Sequence, residues 1–515
     1  MPTATYTVSV DWDKNGNYTG TYDDITAYVR SIRSFNGFRQ PFMNVAGDAT
    51  LELELDNADK RFSPEYSGGP LYGKKWINLP VRFRADNGTT YDMWIGTVSS
   101  IHPQPGANGE KRAILRARGP KLILDTSKIY LPLQIGQRTD QIISNILGQV
   151  VFTEANSVGP WALGLVGYSE VDTATYVGQS ALVNALETNG ITISYFGDTW
   201  ENGVTAYEAI KQVVEAERGK FFFDRFGQAV FYTRTHFPLV TTDLATLTDA
   251  SILSYAYIYG GEDDIVNKVI VKYQPRSIGG ATDTLWALDK PVNISGGTES
   301  RIQARFTEQN SDSKISGYNV LIPQIANSTL QFSSGTAELV TWTVDSRGAE
   351  MVFVARNGNC TISEIIIQGY KLTAYNAAEA IAVDDSSPFF YGPHELALNI
   401  PAIDNANDAQ SIADYEALRR PTPAGRMASI SLINKSTAIL AQQLARTIGD
   451  RINLSETQTA HNADYFIIGE EHVITDGVKK HITTWYLEPA NAAQFWVLGV
   501  AGFSEVGQTT RVGPL

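Results

Sequence analysis

The sequence predicts a mainly β chain with a few helices, an α+β architecture divided among several domains. Three observations predict it. Apolar residues alternate with period two through the first quarter, the helical stretches are few and capped, and Gly, Ser, Thr and Asn crowd between strand-like runs in the middle of the chain. At 515 residues and ~150 residues per domain, about three or four cores are expected.

From Tyr6 to about Leu124 the strand pattern dominates. Leu51, Leu53 and Leu55 alternate with Glu52, Glu54 and Asp56, which places leucines on one face and carboxylates on the other. Val81, Phe83 and Ala85 alternate with Arg82 and Arg84, and Asn87-Gly88 marks a hairpin turn. Residues 1–125 therefore read as a small antiparallel barrel or sandwich.

Residues 126–275 read as a helix and hairpin unit. A short helix has Thr139 as its cap, Ile142, Ile143 and Ile146 on its apolar side, and Gly148 past its end. A second begins at Thr205, whose hydroxyl can cap the amide of Glu208, with Ile210, Val213 and Val214 inward and Gly219 as the stop. The hairpin KFFFDRFGQAVFYTR follows and turns at Phe226-Gly227. Residues 276–385 read as an inserted β-sandwich. Residues 386–490 combine two helices, one ended by Pro421, with a hairpin on Asp476-Gly477.

The final segment, 491–515, contains a repeat. WALGLVGYSEVDTATYVG, starting at Trp161, returns as WVLGVAGFSEVGQTTRVG, starting at Trp496, with ten of eighteen positions identical. Each copy is rich in small and β-branched residues around one Trp. That suits an extended segment that lays its Trp into a pocket and is pinned by backbone hydrogen bonds. Trp161 and Trp496 are thus candidate docking residues, on equivalent surfaces or on neighbouring subunits; the simpler reading makes both copies strands that close their own domains.

Composition excludes several functions. Lys and Arg number 41 against 55 Asp and Glu, a net charge of −14, and such a chain is a poor grip for phosphates. Cys360 is the only cysteine, so no intramolecular disulfide forms and a buried, inert thiol is expected. The N-terminus lacks a basic segment followed by an apolar one and no run is long enough to cross a bilayer, so synthesis in a cytoplasm and no stable membrane insertion are expected.

Searches for chemistry converge on one loop, VDWDKNGNYTGTYDD. Asp11, Asp13 and Asn15 at alternate positions, followed by Gly16, match the start of a calcium loop, with Asp23 and Asp24 as further oxygen ligands. The register then departs from that of an EF-hand, because Tyr22 stands where the closing Glu belongs and a strand precedes the loop. The competing reading is a hairpin loop using Asp, Asn and Gly for turn geometry. A two-residue turn at Asp476-Gly477 would set His472 opposite His481 with Glu470 on the same face, a cross-strand pair without a third metal ligand at a convincing spacing. GYSEV and GFSEV carry Val171 and Val506 where a nucleophile elbow has glycine, and no phosphate loop, HExxH or dinucleotide fingerprint occurs. No catalytic or cofactor residues are assigned, and no enzymatic activity is expected.

Two blocks carry a family resemblance. DDITAYVRSIRSFNGFRQPFMNVAGDATLELELDNADKRFSPEYSGGPLYG resembles the opening of tail-tip hub proteins of long-tailed bacteriophages, on Asp24, Thr26, Val29, Arg30, Asp56, Asn57, Phe62, Ser63, Pro64 and Gly69 through Gly73. AYEAIKQVVEAERGKFFFDRFGQAVFYTR is similar to the helix-hairpin of the same proteins, and YGPHELALNI and the closing LEPA to their later half. The resemblance implies a fold with two related hub β-barrels plus the inserted β-sandwich and small α/β parts. It implies a homotrimeric ring at the tail tip of a virion, with a distal tail ring, the tape measure protein and a fibre or spike as partners, and DNA only as passing cargo. A distal-tail or fibre adaptor that binds receptor carbohydrate through the sandwich is the alternative, and a cell-wall hydrolase the second.

Overall fold

The alternation in the sequence becomes a strand register. In a computed structural model of the chain, which describes residues 1–15, 17–105, 109–150, 186–200, 203–261, 264–308 and 314–490 and the backbone of 495–496 and 511–512, Leu51, Leu53 and Leu55 are buried. Glu52 faces outward directly opposite Arg116, 2.7 Å away. Each such leucine contributes about 1.5–3 kcal/mol by leaving water; the exposed ion pair adds well under about 1 kcal/mol.

Twelve strands form one continuous sheet. The first half comprises β1 (Thr5–Val10), β2 (Val29–Gly37), β3 (Thr50–Asp56), β4 (Pro80–Asp86), β5 (Thr90–Gln104) and β6 (Arg112–Arg118). The second comprises β7 (Thr246–Thr248), β8 (Ser254–Tyr259), β9 (Gly425–Ile433), β10 (Arg451–Glu456), β11 (His461–Thr475) and β12 (Lys480–Pro489). The first half runs β1-β4-β5-β6-β3-β2 and the second β7-β10-β11-β12-β9-β8. Counted along the chain, both orders are 1-4-5-6-3-2.

The correspondence extends to the pairing. In each half the fifth strand is 15 residues long and carries a bulge just past the last residue that pairs with both the fourth and the sixth strand. Thr97 lies between Pro80 and Arg118 with the bulge between Val98 and Ser100; Phe466 lies between Arg451 and Glu488 with the bulge between Ile467 and Gly469. One pairing differs, since β1 runs antiparallel to β4 but β7 runs parallel to β10.

The mainly β class with a few helices holds. The expected barrels are open, because no sheet among the described residues closes on itself. In the first half β1 and β2 end the strand order, and the edge of β2 that closure would need is occupied by β11. Each half still curls around its own core, one built on Val8, Leu53, Phe83 and Leu115 and the other on Met427, Ile452, Tyr465 and Trp485. The sequence division at residue 275 cuts through the second half, since β7 and β8 join it from upstream.

A middle layer shares one core: α1 (Thr139–Gln149), α2 (Ala206–Glu217) and the hairpin Lys220–Phe223 with Ala229–Tyr232 lie between the two halves of sequence, whereas α3 (Ala406–Arg419) and the three-stranded sheet of Lys268–Tyr273, Ala378–Val383 and Glu395–Asn399 fall between β8 and β9. Thr205 caps α2 by accepting from the amide of Glu208 at 3.2 Å. Arg218 then turns left-handed, φ 59°, and Gly219 follows where a Cβ would meet the Tyr232 carbonyl at 2.3 Å. In α1 the cap is Arg138 and Thr139 is the first helical residue. Strands between Arg276 and Ala374 form a five-stranded and a three-stranded sheet around a separate core that includes buried Cys360. A final helix, α4 (Thr437–Ala445), sends Ile439 into the second core and Leu440 and Leu444 into the first.

Candidate functional site

The meeting of the two halves is the feature around which the buried charges gather. Strands β2 and β11 pair antiparallel from Ile32 with Ile474 to Gly37 with Gly469. Glycine is required there. Gly37 has φ +91°, and a Cβ on Gly469 would sit 2.1 Å from the Phe38 carbonyl oxygen.

Arg225, at the tip of the middle hairpin, reaches into this seam. Its Nε donates to Glu470 Oε1 at 2.7 Å, and its other nitrogens donate to Glu470 Oε2 and to the carbonyls of Leu444 and Arg446. Burial alone would raise the Glu470 carboxyl, but the adjoining guanidinium holds it down to about 2. From Glu470 a polar chain continues inward. His472 Nε2 lies 3.5 Å from Glu470, His472 Nδ1 lies 3.0 Å from His481 Nε2, and His481 Nδ1 lies 3.0 Å from the Tyr6 hydroxyl. Burial lowers both histidine pKa values, and for His481 the neighbouring His472 and Arg225 lower it further.

The histidine register differs from the sequence expectation. Thr475 pairs with Lys480 and His481 with Ile474, so the loop holds four residues and His472 stands opposite Thr483. Asp476, Gly477 and Val478 all have positive φ, and the Lys479 amide donates back to the Thr475 carbonyl. The two histidines therefore meet diagonally on one face rather than directly.

A second network joins the middle layer to the end of β12. Lys220 Nζ donates to Glu488 at 2.9 Å and to the Met43 carbonyl at 3.0 Å, the Phe42 amide donates to Glu488 at 2.7 Å, and Arg419 lies 3.2 Å from the same carboxylate. Arg218 and Arg419 share Glu416. Burial lowers the Lys220 ammonium, which Glu488 counteracts. A third pair, Arg276 forked onto Asp198 at 2.6 and 3.0 Å, fixes the root of the sandwich. Buried carboxylates so occupied act as acceptors and fasteners. Against their burial, the neighbouring cations hold the carboxyls of Glu416, Glu470 and Glu488 below their usual range, which makes these three poor proton donors at neutral pH.

The Asp11 loop is organised by its own backbone. Asp11 and Asp23 are buried. Asp11 accepts from the Asn15 amide at 3.2 Å, Asp23 from the Gly20 and Trp12 amides at 2.8 and 3.4 Å, Asn15 from Asn17 at 3.1 Å, and Asp24 from Thr26 at 2.9 Å, while Asp13 pairs with Lys74. Burial raises the Asp23 carboxyl, and the charges of Asp11 and Asp13 add to the rise. The structure thus brings Asp11, Asp13 and Asp23 near one another and turns Asp24 to the start of the next segment. Among the described residues no group of three or more His, Cys, Asp and Glu side chains is placed to hold a metal ion. Trp161 lies outside the described residues. Trp496 is described by its backbone alone, which pairs in parallel with Val512.

Sequence reasoning missed Arg225, Lys220 and Glu488 as structural fasteners. Their signal was a charge set inside or directly beside an apolar strand, as Lys220 precedes three phenylalanines.

No family model and no curated protein matches the chain. Among solved structures, it is similar to a tail protein from Neisseria meningitidis MC58, at 10% identity and a TM-score of 0.49 over 94% of this chain and 96% of that one. It is similar to the 43 kDa tail protein of prophage MuSo2 from Shewanella oneidensis, at 10% identity and a TM-score of 0.48 over 95% and 99% of the two chains. It is also similar to prophage tail protein gp18 from Listeria monocytogenes EGD-e, at 8% identity and a TM-score of 0.39 over 93% and 94%.

Proposed function

We propose that the chain is the structural hub of a phage or phage-like tail tip. In this reading it forms a homotrimeric ring that links a distal tail ring to fibres or a spike and encloses the channel for the tape measure protein and DNA. The observation that carries it is the doubling of one six-stranded order, 1-4-5-6-3-2, inside a single chain. Three chains with two like units each offer six like surfaces, the number that a sixfold neighbour requires. The tail-tip motifs around Asp24 to Gly73 and in the Ala206–Tyr232 helix-hairpin support the same reading.

The net charge of −14 suits a channel component, because DNA carries one negative charge per ~1.7 Å of its axis and acidic walls do not hold it. The buried carboxylates act as fasteners, which agrees with a structural rather than a catalytic role. Native mass spectrometry of the purified protein and electron microscopy of the assembled tail test the reading together. A trimer on the tail axis is expected. A hexamer would instead mark a distal tail ring, peripheral density a fibre adaptor, and clearing of purified host cell wall an enzyme.

A further inference from the structure

The seam inside the chain is a heterologous contact. The second strand of one unit, β2, adds to the fifth strand of the other, β11, along the stretch beyond the bulge. The same two surfaces occur once more in the molecule, in exchanged units, and among the described residues neither is covered. Strand β8, the second strand of the later unit, pairs only with β9. Strand β5, the fifth of the earlier unit, is bordered by β4 up to Thr97, and Val98 is tied to Asn78 and Leu79; from Ser99 to Gln104 only β6 lies beside it.

Neither free edge carries a charge, although β8 has a bulge between Ala256 and Tyr257 and the β5 stretch begins at the bulge between Val98 and Ser100. Ser254–Tyr259 reads SYAYIY and Ser99–Gln104 reads SSIHPQ, with no Lys, Arg, Asp or Glu in either. Tyr259 is 68% exposed and Ile258 39%, and a β-rich, uncharged, uncovered edge is a template for another strand. Pro103 lacks an amide and shortens the ladder at the outer end of β5.

We infer that β8 of one copy docks on the Ser99–Gln104 edge of β5 in a second copy, reproducing between chains the seam that β2 and β11 form within one. The inference rests on the ring reading and identifies its interface. Because the contact is head-to-tail, each copy gives one edge and receives another, and successive copies close into a ring if the rotation permits.

The test uses the full chain and two edge variants, Tyr259→Lys at an exposed position and Ser99→Lys at a half-buried one whose hydroxyl donates to the Arg116 carbonyl, each used only where its circular dichroism matches that of the wild type. The wild type is expected to form a closed ring. Each variant alone should be monomeric at concentrations at least about tenfold above those where the wild type assembles. Mixed together, they should give a 1:1 dimer and nothing larger, since Tyr259→Lys keeps an intact β5 edge and Ser99→Lys an intact β8. Rings that persist in both single variants would overturn the interface and leave the hub reading standing. A monomeric wild type would overturn both, whereas a ring whose β8 amides are protected from exchange by the same chain's residues 491–515 would overturn the interface alone. Variants that remain monomeric when mixed would overturn the pairing of these two edges.

Discussion

Arg225 donates to Glu470 and to two carbonyls at the end of α4 and just after it, so one side chain ties the middle hairpin to the second half. Replacing it by Met leaves Glu470 buried beside neutral His472. Loss of one partner of such a pair costs about 3–5 kcal/mol, and Arg225→Met with Glu470→Gln should cost less than Arg225→Met alone, as urea unfolding would measure. The histidines give a pH prediction with a definite sign. Their folded pKa values are depressed, so the unfolded chain takes up protons first and stability falls as pH drops below about 6.5. Each contributes a slope of up to about 1.4 kcal/mol per pH unit. Asp224, pushed up to about 7 by burial, acts in the opposite sense. The comparison is therefore between the wild type and His472→Asn/His481→Asn, which share Asp224: the double variant should lose stability less steeply between pH 6.5 and 5, and parallel curves would contradict the assignment. At the Asp11 loop the carboxylates already accept backbone amides or pair with Lys74, so millimolar calcium or a chelator should leave the melting temperature unchanged. At this scale the sequence reading placed His472 and His481 on one face correctly and mispaired them, because loop length, which sets register, depends on three consecutive left-handed residues that no pattern of polarity reveals.

The seam is the element that most constrains the fold. Gly469→Ala would press a methyl group onto the Phe38 carbonyl, and overpacking of that kind costs about 1–3 kcal/mol. Its effect should be local: amide exchange should accelerate between Ile32 and Gly37, whereas β4 and β9, which do not border β2 or β11, keep their protection. Uniform acceleration along the chain would show instead that the two halves unfold as one unit. Individual strands were legible because period two is a local signal, and Leu51, Leu53 and Leu55 announce their own inward face. Their neighbours were not legible. Arg33 and Glu471 meet 2.7 Å apart although 438 residues separate them, and alternation says which face is buried without saying which strand lies alongside. The same limit explains why β7 and β8 were assigned to the unit before the sandwich.

In the whole molecule, the doubled order 1-4-5-6-3-2 emerges only from pairing, since the two halves share no evident run of residues and the second is interrupted between β8 and β9 by the sandwich and much of the middle layer. That interruption makes the last prediction. Arg276 and Ala374 are cross-strand partners at the root of the sandwich, so the chain leaves and re-enters at adjacent points. Replacing residues 277–373 with Asn-Gly, a dipeptide suited to a two-residue turn, should close the gap without moving either end. Arg276 is retained because it neutralises buried Asp198. Among the described residues few hydrogen bonds tie the sandwich to the rest of the chain. Ser316 and Ser346 donate to the carbonyls of Asp198 and Gly197, the Ser346 amide donates to the Leu131 carbonyl, and the Ser277 and Tyr375 hydroxyls meet at 2.9 Å. The sandwich core, built on Phe306, Met351, Phe353 and Ile365, leaves with the insert. The shortened chain should stay soluble, melt within a few degrees of the parent transition assigned to the sheet and middle layer, and form the same oligomer, because β5 and β8 lie outside the excised region. Aggregation, or a soluble monomer from a parent that forms rings, would show that the sandwich supports the sheet or the assembly itself.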